Sequence, residues 1–423
     1  MSASAPDPAP AAPQGARVWL RVFLPFVAGY FLSYLLRTVN AVISPELTAE
    51  LDLGAADLGL LTSTFFLAFA LVQLPNGVFL DRFGPRRVEA VLLLFAAVGA
   101  LLFAVGKDLG TFVVGRALIG LGVSACLMAA FKGLFPWFPA AKQASLTGAI
   151  MAVGGLGGLI STRPLEMALP LLGWRGVFLV VALLAVLVAI ALLLIAPDKG
   201  PRPPPEPFRQ QMAALGQIYR SRVFWRFGWQ AALIAGGNMA IQALWAVPWL
   251  MDVNHYSRPQ AAQHLQLMSL AMVGGFIFVA AFSTRLAKRG VPPVVLLGAG
   301  SVLSLASGAG MLLDLAPSEL LWIMFGLGIS PVNLAFSVLG SHFPAQVSGR
   351  ASTALNLMIF AGGFIIQWGF GGVVDYLAGL GWGRTESFRG AFTLLLALQA
   401  ASFLWFLLAR EPREASLGAK AAG

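Results

Sequence analysis

The chain has 423 residues, of which 58% are hydrophobic and 11% charged, with a mean hydropathy of +0.81 and a formal net charge of +10. Such a composition excludes a water-soluble globule of ordinary make-up and points to an integral membrane protein whose solvent is the lipid bilayer. The basic residues lie in short stretches between apolar runs rather than on one soluble face, so they read as topology determinants and argue against a nucleic-acid partner.

Residues 1–17 are rich in alanine and proline and predict a disordered N-terminus. The first apolar run is too long for a signal peptide and is followed by no small-residue cleavage site. Twelve runs of about 20 residues follow, each matching the roughly 30 Å hydrocarbon core at 1.5 Å per residue. They begin near Trp19, Leu58, Val91, Thr111, Ala144, Gly176, Phe224, Ala261, Pro293, Leu320, Ala351 and Gly390. Helices are implied because a helix satisfies its backbone hydrogen bonds internally, and the alternating ten-residue segments of a transmembrane barrel are missing. Between the sixth and seventh runs lies a proline-rich, basic stretch containing PRPPPEPFRQQ. The expected organisation is therefore a six-helix bundle over 18–197, a linker over 198–223, a second bundle over 224–410 and a tail over 411–423.

Counting twelve spans places Arg82, Arg86, Arg87, Lys142, Lys199, Arg202, Arg285, Lys288 and Arg350 on one side, together with both termini. By the positive-inside rule that side is the cytoplasm of a bacterial-type inner membrane. The first loop on the other side carries Glu46, Glu50, Asp52 and Asp57 and no basic residue.

The two halves repeat each other. Ile119-Gly-Leu-Gly-Val-Ser124 in span 4 returns as Phe325-Gly-Leu-Gly-Ile-Ser330 in span 10. Phe138-Pro-Ala140 and Gly157-Gly158 return as Phe343-Pro-Ala345 and Gly362-Gly363, and Trp174-Arg-Gly-Val-Phe178 as Phe388-Arg-Gly-Ala-Phe392. A degraded copy of Asp81-Arg82 stands at Thr284-Arg285. Because six is even, equivalent helices run the same way, and the repeats are parallel.

The turn from Gly77 to Arg87, GVFLDRFGPRR, separates spans 2 and 3. Gly77 would let helix 2 approach a neighbour closely, and the Asp81 carboxylate could accept charge-assisted bonds from a cation or a helix N-terminus. A plain positive-inside loop with a turn glycine is the simpler alternative. The turn resembles the loop signature of the major facilitator superfamily at Gly77, Asp81, Arg82, Gly84, Arg86 and Arg87. Arg116-Ala-Leu-Ile-Gly120-Leu-Gly122 is similar to a second motif of that family. The antiporter signature of span 5 is only partly met, since Gly154, Gly155, Gly157 and Gly158 are followed by Pro164 rather than an immediate Gly-Pro. The resemblance implies an all-α membrane protein of twelve transmembrane helices in two parallel six-helix repeats, working by alternating access as a monomer. It also implies that these turn residues and Arg116 act in gating. Helices 1, 4, 7 and 10, with 2, 5, 8 and 11 beside them, would line the path, and the uncharged spans 3, 6, 9 and 12 would face lipid.

Charged side chains inside a span are functional candidates by default, and five stand out: Arg37, Arg116, Lys132, Arg163 and Glu166. Arg163 and Glu166, three apart, could neutralise each other, while Lys132 and Arg116 could snorkel to opposite surfaces. Arg37, roughly 9 Å from the outer end of span 1 and on a face with Tyr30 and Tyr34, suits bidentate capture of an anion. Snorkelling and a structural bond to backbone carbonyls remain open for it. It also resembles the helix 1 arginine of organophosphate transporters in the superfamily, although the flanking LRTVNAV differs.

On span 7, Asn238, Gln242 and Trp245 share a face at i, i+4 and i+7, with Trp245 placed to cap a substrate. Asn356, Gly363 and Gln367 form a second stripe, and Gln73, Ser330 and Asn333 are further polar positions; interhelical hydrogen bonding is the competing use for each. Together with Tyr34 and Arg37, the residues Asn238, Gln242, Trp245, Asn356 and Gln367 form the candidate substrate site. Glu166 and Asp375 are the acidic candidates for coupling, with a proton as the candidate ion. The single cysteine, Cys126, excludes an intrachain disulfide, and His255, His264 and His342 lack metal-ligand spacing, so no metal or other cofactor is expected. The expected function is secondary transport of a small organic anion. Multidrug or metabolite efflux on the same fold and a non-transporting membrane sensor are the alternatives, and no convergent acid-base or nucleophile set suggests an enzyme.

Overall fold

The computed structural model describes residues 18–138, 140–197 and 215–409, and each predicted run is helical in it. The helices are α1 Trp19–Leu51, α2 Ala55–Leu71 continued as Gln73–Phe83, α3 Pro85–Val105, α4 Leu109–Trp137, α5 Ala140–Ile160 and α6 Arg163–Ile195. The second half comprises α7 Arg222–Asp252, α8 Arg258–Lys288, α9 Pro293–Leu313, α10 Ser318–Gly340, α11 Ala345–Gly379 and α12 Arg384–Leu408. Among the described residues ten of these helices are long and apolar enough to cross a membrane, and the bent α2 makes an eleventh. The fifth helix breaks at Ser161–Thr162 and continues as the first turns of α6. A second break at Gly173, with φ +64°, then separates those turns from the sixth span.

Local chemistry explains the remaining bends. In α2 the two parts meet at 49°, where Pro75 cannot donate to the carbonyl of Leu71. The α2–α3 turn closes through Gly84, whose φ of +82° a side chain would strain, and Pro85 then starts α3 where its missing N–H is no loss. Residues 198–214 of the linker, both termini and the side chains of Lys142 and Thr284 lie outside the described residues, while residues 215–220 at the end of the expected linker are helical.

The duplication is visible in the packing. A Cβ on Gly120 of α4 would strike the Phe65 carbonyl of α2, and one on Gly326 of α10 would strike the Met268 carbonyl of α8. Likewise Gly157 of α5 meets the Phe31 backbone of α1, and Gly362 of α11 meets the Ala232 backbone of α7. The same sequence motif thus makes the same close helix crossing in each half. Helices α3, α6, α9 and α12 turn exposed apolar side chains outward, among them Val98, Leu183, Val302 and Leu404. This is the lipid-facing role expected of them.

The two halves meet mainly toward the end that carries the α1–α2 loop. There α2 packs along α11, where Gly59 faces the Gln367 carbonyl and Gly371 faces the Ala55 backbone. The α1–α2 end also holds several arginines, each paired with an acid or a carbonyl: Arg175 with Glu50, Arg258 with Glu46, Arg384 with Asp252 and Arg389 with Asp314. At the opposite end the helices part around a cavity.

Candidate functional site

Eight helices, α1, α2, α4, α5, α7, α8, α10 and α11, line a cavity of about 470 Å³. These are the helices that the sequence resemblance assigns to the central path. Arg37 is the one charged residue on its wall among the described residues. Its guanidinium carbon lies 4.5 Å from the Tyr34 ring centroid, 5.2 Å from Phe360 and 5.9 Å from Phe69. The Phe69 and Phe360 rings stack at 3.8 Å and 9° and join the two halves beside it.

The depth of Arg37 differs from the sequence expectation. Helix α1 does not stop near Ile43 but runs through Pro45, Glu46 and Glu50 to Leu51. Arg37 therefore stands about 21 Å from that end, at 1.5 Å per residue, and lines the cavity instead. Its Nε is buried without a hydrogen-bond partner, and among the described residues no carboxylate pairs with it. A guanidinium so placed has aromatic faces for company and unspent donors for an anion.

Tyr34, Asn238, Gln242 and Asn356 also line this cavity, and Asn356 lies one turn below Phe360 on α11. Trp245 and Gln367 do not. Trp245 is 1% exposed, donates from Nε1 to the Gln367 carbonyl at 3.1 Å and packs on Phe370 at 4.8 Å. The reason is local: residues Ala231–Ala235 and Ile241–Trp245 each form a π-helical turn, so the regular spacing that put Trp245 over Gln242 does not hold. The Gln367 side chain is fully buried away from the cavity, with neither amide atom hydrogen-bonded. Of the other polar positions, Gln73 donates to the Ser124 carbonyl, Ser330 to the Met272 carbonyl and Asn333 to the Ile329 carbonyl.

Around the α2–α3 turn, Asp81 forms an ion pair with Lys132 of α4, which supplies the cationic partner foreseen for it. Arg86 donates to the Ala196 carbonyl at the end of α6 at 2.9 Å, Arg82 lies over Phe83, and Arg87 is exposed. Gly77 is not a close-approach position in this conformation, since a Cβ there would meet nothing within 4 Å. Arg116 does not snorkel: it is fully buried, donates to the Leu36 carbonyl of α1 at 2.9 Å and lies over Phe65. Its place behind α1 makes it a strut for the helix that carries Arg37.

Neither acidic candidate faces the cavity. Glu166 pairs with Arg163 one turn away. Asp375 of α11 accepts the backbone N–H groups of Ala55 and Ala56 at 3.0 and 2.7 Å, capping the N-terminus of α2 from the other half. Sequence reading treated these as titratable groups in a path, whereas their immediate partners make them structural contacts.

Two features were not foreseen. Glu89, between the Gly77–Arg87 turn and the expected start of span 3 near Val91, is fully buried in α3 against Gly29 of α1, with the Cys126 thiol beside it and no regular hydrogen bond to either carboxylate oxygen. Its position four, seven and eight residues before Leu93, Ala96 and Ala97 marks it as a member of the buried face of α3. Arg258 of α8 reaches α1, where it pairs with Glu46 and donates to the Val42 carbonyl at 2.9 Å. No sequence spacing links those two helices.

The profile of the Major Facilitator Superfamily matches residues 26–367 of the chain. A probable sulfoacetate transporter of Cupriavidus necator is 26% identical over 352 residues, covering 78% of this chain and 80% of that protein. A probable L-galactonate transporter of Escherichia coli is 29% identical over a shorter stretch, 38% of this chain and 35% of that protein. Among solved structures, a bacterial homologue of the human lysosomal transporter Spinster, in an inward-facing and unoccupied conformation, superposes with a TM-score of 0.75 at 18% identity. That superposition covers 94% of this chain and 98% of the other.

Proposed function

This chain belongs to the Major Facilitator Superfamily, and from that premise we propose that it is a secondary transporter moving a small organic anion by alternating access. The observation that carries the reading is Arg37: a single uncompensated cation, at mid-depth, on the wall of a cavity that contains no acidic side chain among the described residues. In a cavity of low dielectric such a charge favours an anion and repels a cation. The relatives support the same class, since sulfoacetate, L-galactonate and hexuronate, named for three of them, are all anions at neutral pH.

In this reading the basic α2–α3 end is cytoplasmic and the cavity opens inward. Tyr34, Gln242 and Asn356 orient the substrate beside Arg37, while Asn238 reaches it with its amide nitrogen. Asp81 and its turn act on the inner gate, and the contacts between α2 and α11 close the outer one. With Glu166 and Asp375 engaged elsewhere, the cavity itself supplies no carboxylate for coupling. The driving force then enters through the anion's own charge, by exchange for a second anion or by movement with a proton.

Uptake of radiolabelled organic anions into liposomes containing the purified protein tests the proposal. Arg37→Gln should abolish saturable uptake, and Arg37→Lys should reduce it by about tenfold, because the ammonium keeps the charge and loses the bidentate fork. Uptake unaltered by Arg37→Gln refutes the assignment.

A further inference from the structure

We infer, resting on the anion-site reading above, that the cargo is a monoanion with an apolar body, an aryl or branched-alkyl carboxylate or sulfonate, and not a polyhydroxylated sugar acid or a dianion. Three observations converge on this chemistry.

The first is charge. One guanidinium faces the cavity, and no second cation lines it among the described residues. One negative charge is neutralised there; a second would be held against apolar walls with nothing opposite it.

The second is the state of the polar lining. A cavity built for hydroxyl groups presents donors and acceptors that are free in its absence. Here Ser33 bonds to the Val123 carbonyl and Ser352 to the Ser348 carbonyl. Gln73 and Asn333 also end on backbone carbonyls, as described above. The Asn238 carbonyl already accepts from Ser304 and Gln399 at 3.1 and 3.3 Å. Tyr30 and Gln242 rest on the sulfurs of Met151 and Met272 at 3.5 Å, contacts weak enough to be exchanged for a carboxylate. Left for a ligand are Tyr34 and Asn356, with the exchangeable Tyr30 and Gln242 and the Asn238 amide nitrogen, and they serve an anionic head beside Arg37. A hydroxyl beyond their reach would lie against the apolar wall, and each one left without a partner counts against binding.

The third is the remaining wall. Below Arg37 it is built from Phe131, Phe276 and Phe336 and from the thioethers of Met128, Met239 and Met272. Aromatic faces and flexible, polarisable methionines pack well around an apolar body and tolerate variation in its shape. Arg37 itself lies against three aromatic rings, Tyr34, Phe69 and Phe360, so the head-group site and the apolar chamber are continuous.

The test is a binding series on the full-length protein in nanodiscs, measured by calorimetry with phenylacetate, its neutral amide phenylacetamide, glucuronate and sulfoacetate. Phenylacetate should bind at least about tenfold more tightly than each of the other three. If glucuronate or sulfoacetate binds as tightly as phenylacetate while phenylacetamide binds weakly, the apolar-body inference is overturned and the anion site stands. If phenylacetamide matches phenylacetate, or if none of the three anions binds, the anion site itself fails. Because the wild-type protein is compared with itself across ligands, the outcome does not depend on whether an Arg37 variant folds.

Discussion

Replacing Asp375 by asparagine should shift the protein toward the conformation that is open at the α1–α2 end. Helix α2 starts after Gly54, an N-cap residue with no side chain to offer, so its first N–H groups depend on another source of acceptors. Asp375 supplies both oxygens from the opposite half, at 3.0 Å to Ala55 and 2.7 Å to Ala56. The contact therefore exists only while the halves are together at this end. A negative charge at a helix N-terminus is worth about 0.3–1 kcal/mol, rising to about 2 in partly buried sites such as this one. Hydrogen bonds to a charged acceptor exceed neutral ones by about another 1 kcal/mol. Asparagine keeps one carbonyl oxygen and loses the charge, so the net loss is about 1–2 kcal/mol, a five- to thirtyfold change in the ratio of the two conformations. Spin labels at Ala49→Cys and Leu380→Cys, in opposite halves at the same end, would report that ratio by double electron–electron resonance. Cys126, the one native cysteine, is buried and should not be labelled. Asp314→Asn is the control, because Asp314 pairs with Arg389 inside its own half. If Asp375→Asn and Asp375→Ala both leave the distance distribution unchanged, or if Asp314→Asn shifts it equally, the capping latch is wrong.

Arg258→Ala should act in the same direction by about 1–2 kcal/mol, since it removes the Glu46 pair and the bond to the Val42 carbonyl between α8 and α1; the same labels report it. Asp81→Asn should lower the melting temperature little, because Asp81 and Lys132 are each 41% exposed and such pairs are worth about 0–1 kcal/mol. It should nevertheless change cysteine accessibility across the α2–α3 end more than Thr284→Ala does, and equal effects would refute the asymmetry between the two turns. Glu89→Gln should leave the melting temperature in detergent unchanged or raise it, since the buried carboxyl group has no cation or hydrogen-bond partner to lose and the amide preserves its shape. Gly29→Ala should lower stability by about 1–3 kcal/mol, because the space its methyl needs is filled by Glu89 Oε1. A large loss from Glu89→Gln would mean that the carboxylate has a partner after all.

Composition and repetition carried most of the fold into the sequence. Apolar runs of bilayer length mark helices without reference to packing, and the glycine motifs recur because each half needs the same crossings. Gly120 and Gly326 could be paired from sequence alone, and their neighbours Phe65 and Met268 occupy matching places in the structure. The site was legible only in part. Arg37, Asn238, Gln242 and Asn356 were found because polar residues in apolar helices are conspicuous. Trp245 was misplaced because a π turn changes helical phase without leaving a clear sequence mark. Glu89 was overlooked because it follows Arg86 and Arg87, and a charge beside other charges looks like loop. The partners of Asp375 and Arg258 could not be read, since each contact joins helices from different halves and has no fixed spacing.

The duplicated scaffold has diverged in where it keeps its charge. Glu89 and Arg116 are buried in the N-terminal half, and Arg37 lines the cavity from the same side. Among the described residues of the C-terminal half no aspartate, glutamate, lysine or arginine is buried, and amides and hydroxyls such as Gln230, Asn238, Ser304 and Gln399 take their place. These bond to one another: Gln230 to Ser301, and Asn238 to both Ser304 and Gln399. If Arg37 binds the substrate, the charge-bearing contact belongs to one half, and the substrate stays with that half while the other moves past it. The C-terminal half then contributes shape and hydrogen bonds whose strength changes little with membrane potential, because no buried charge moves with it. On this argument, neutralising Arg37 should remove substrate-linked charge movement as well as affinity. Removing Asn238 or Gln242 should alter affinity alone. Solid-supported-membrane currents from the three variants would separate the two behaviours, and a charge movement lost with Gln242→Ala at saturating substrate would contradict the division of labour.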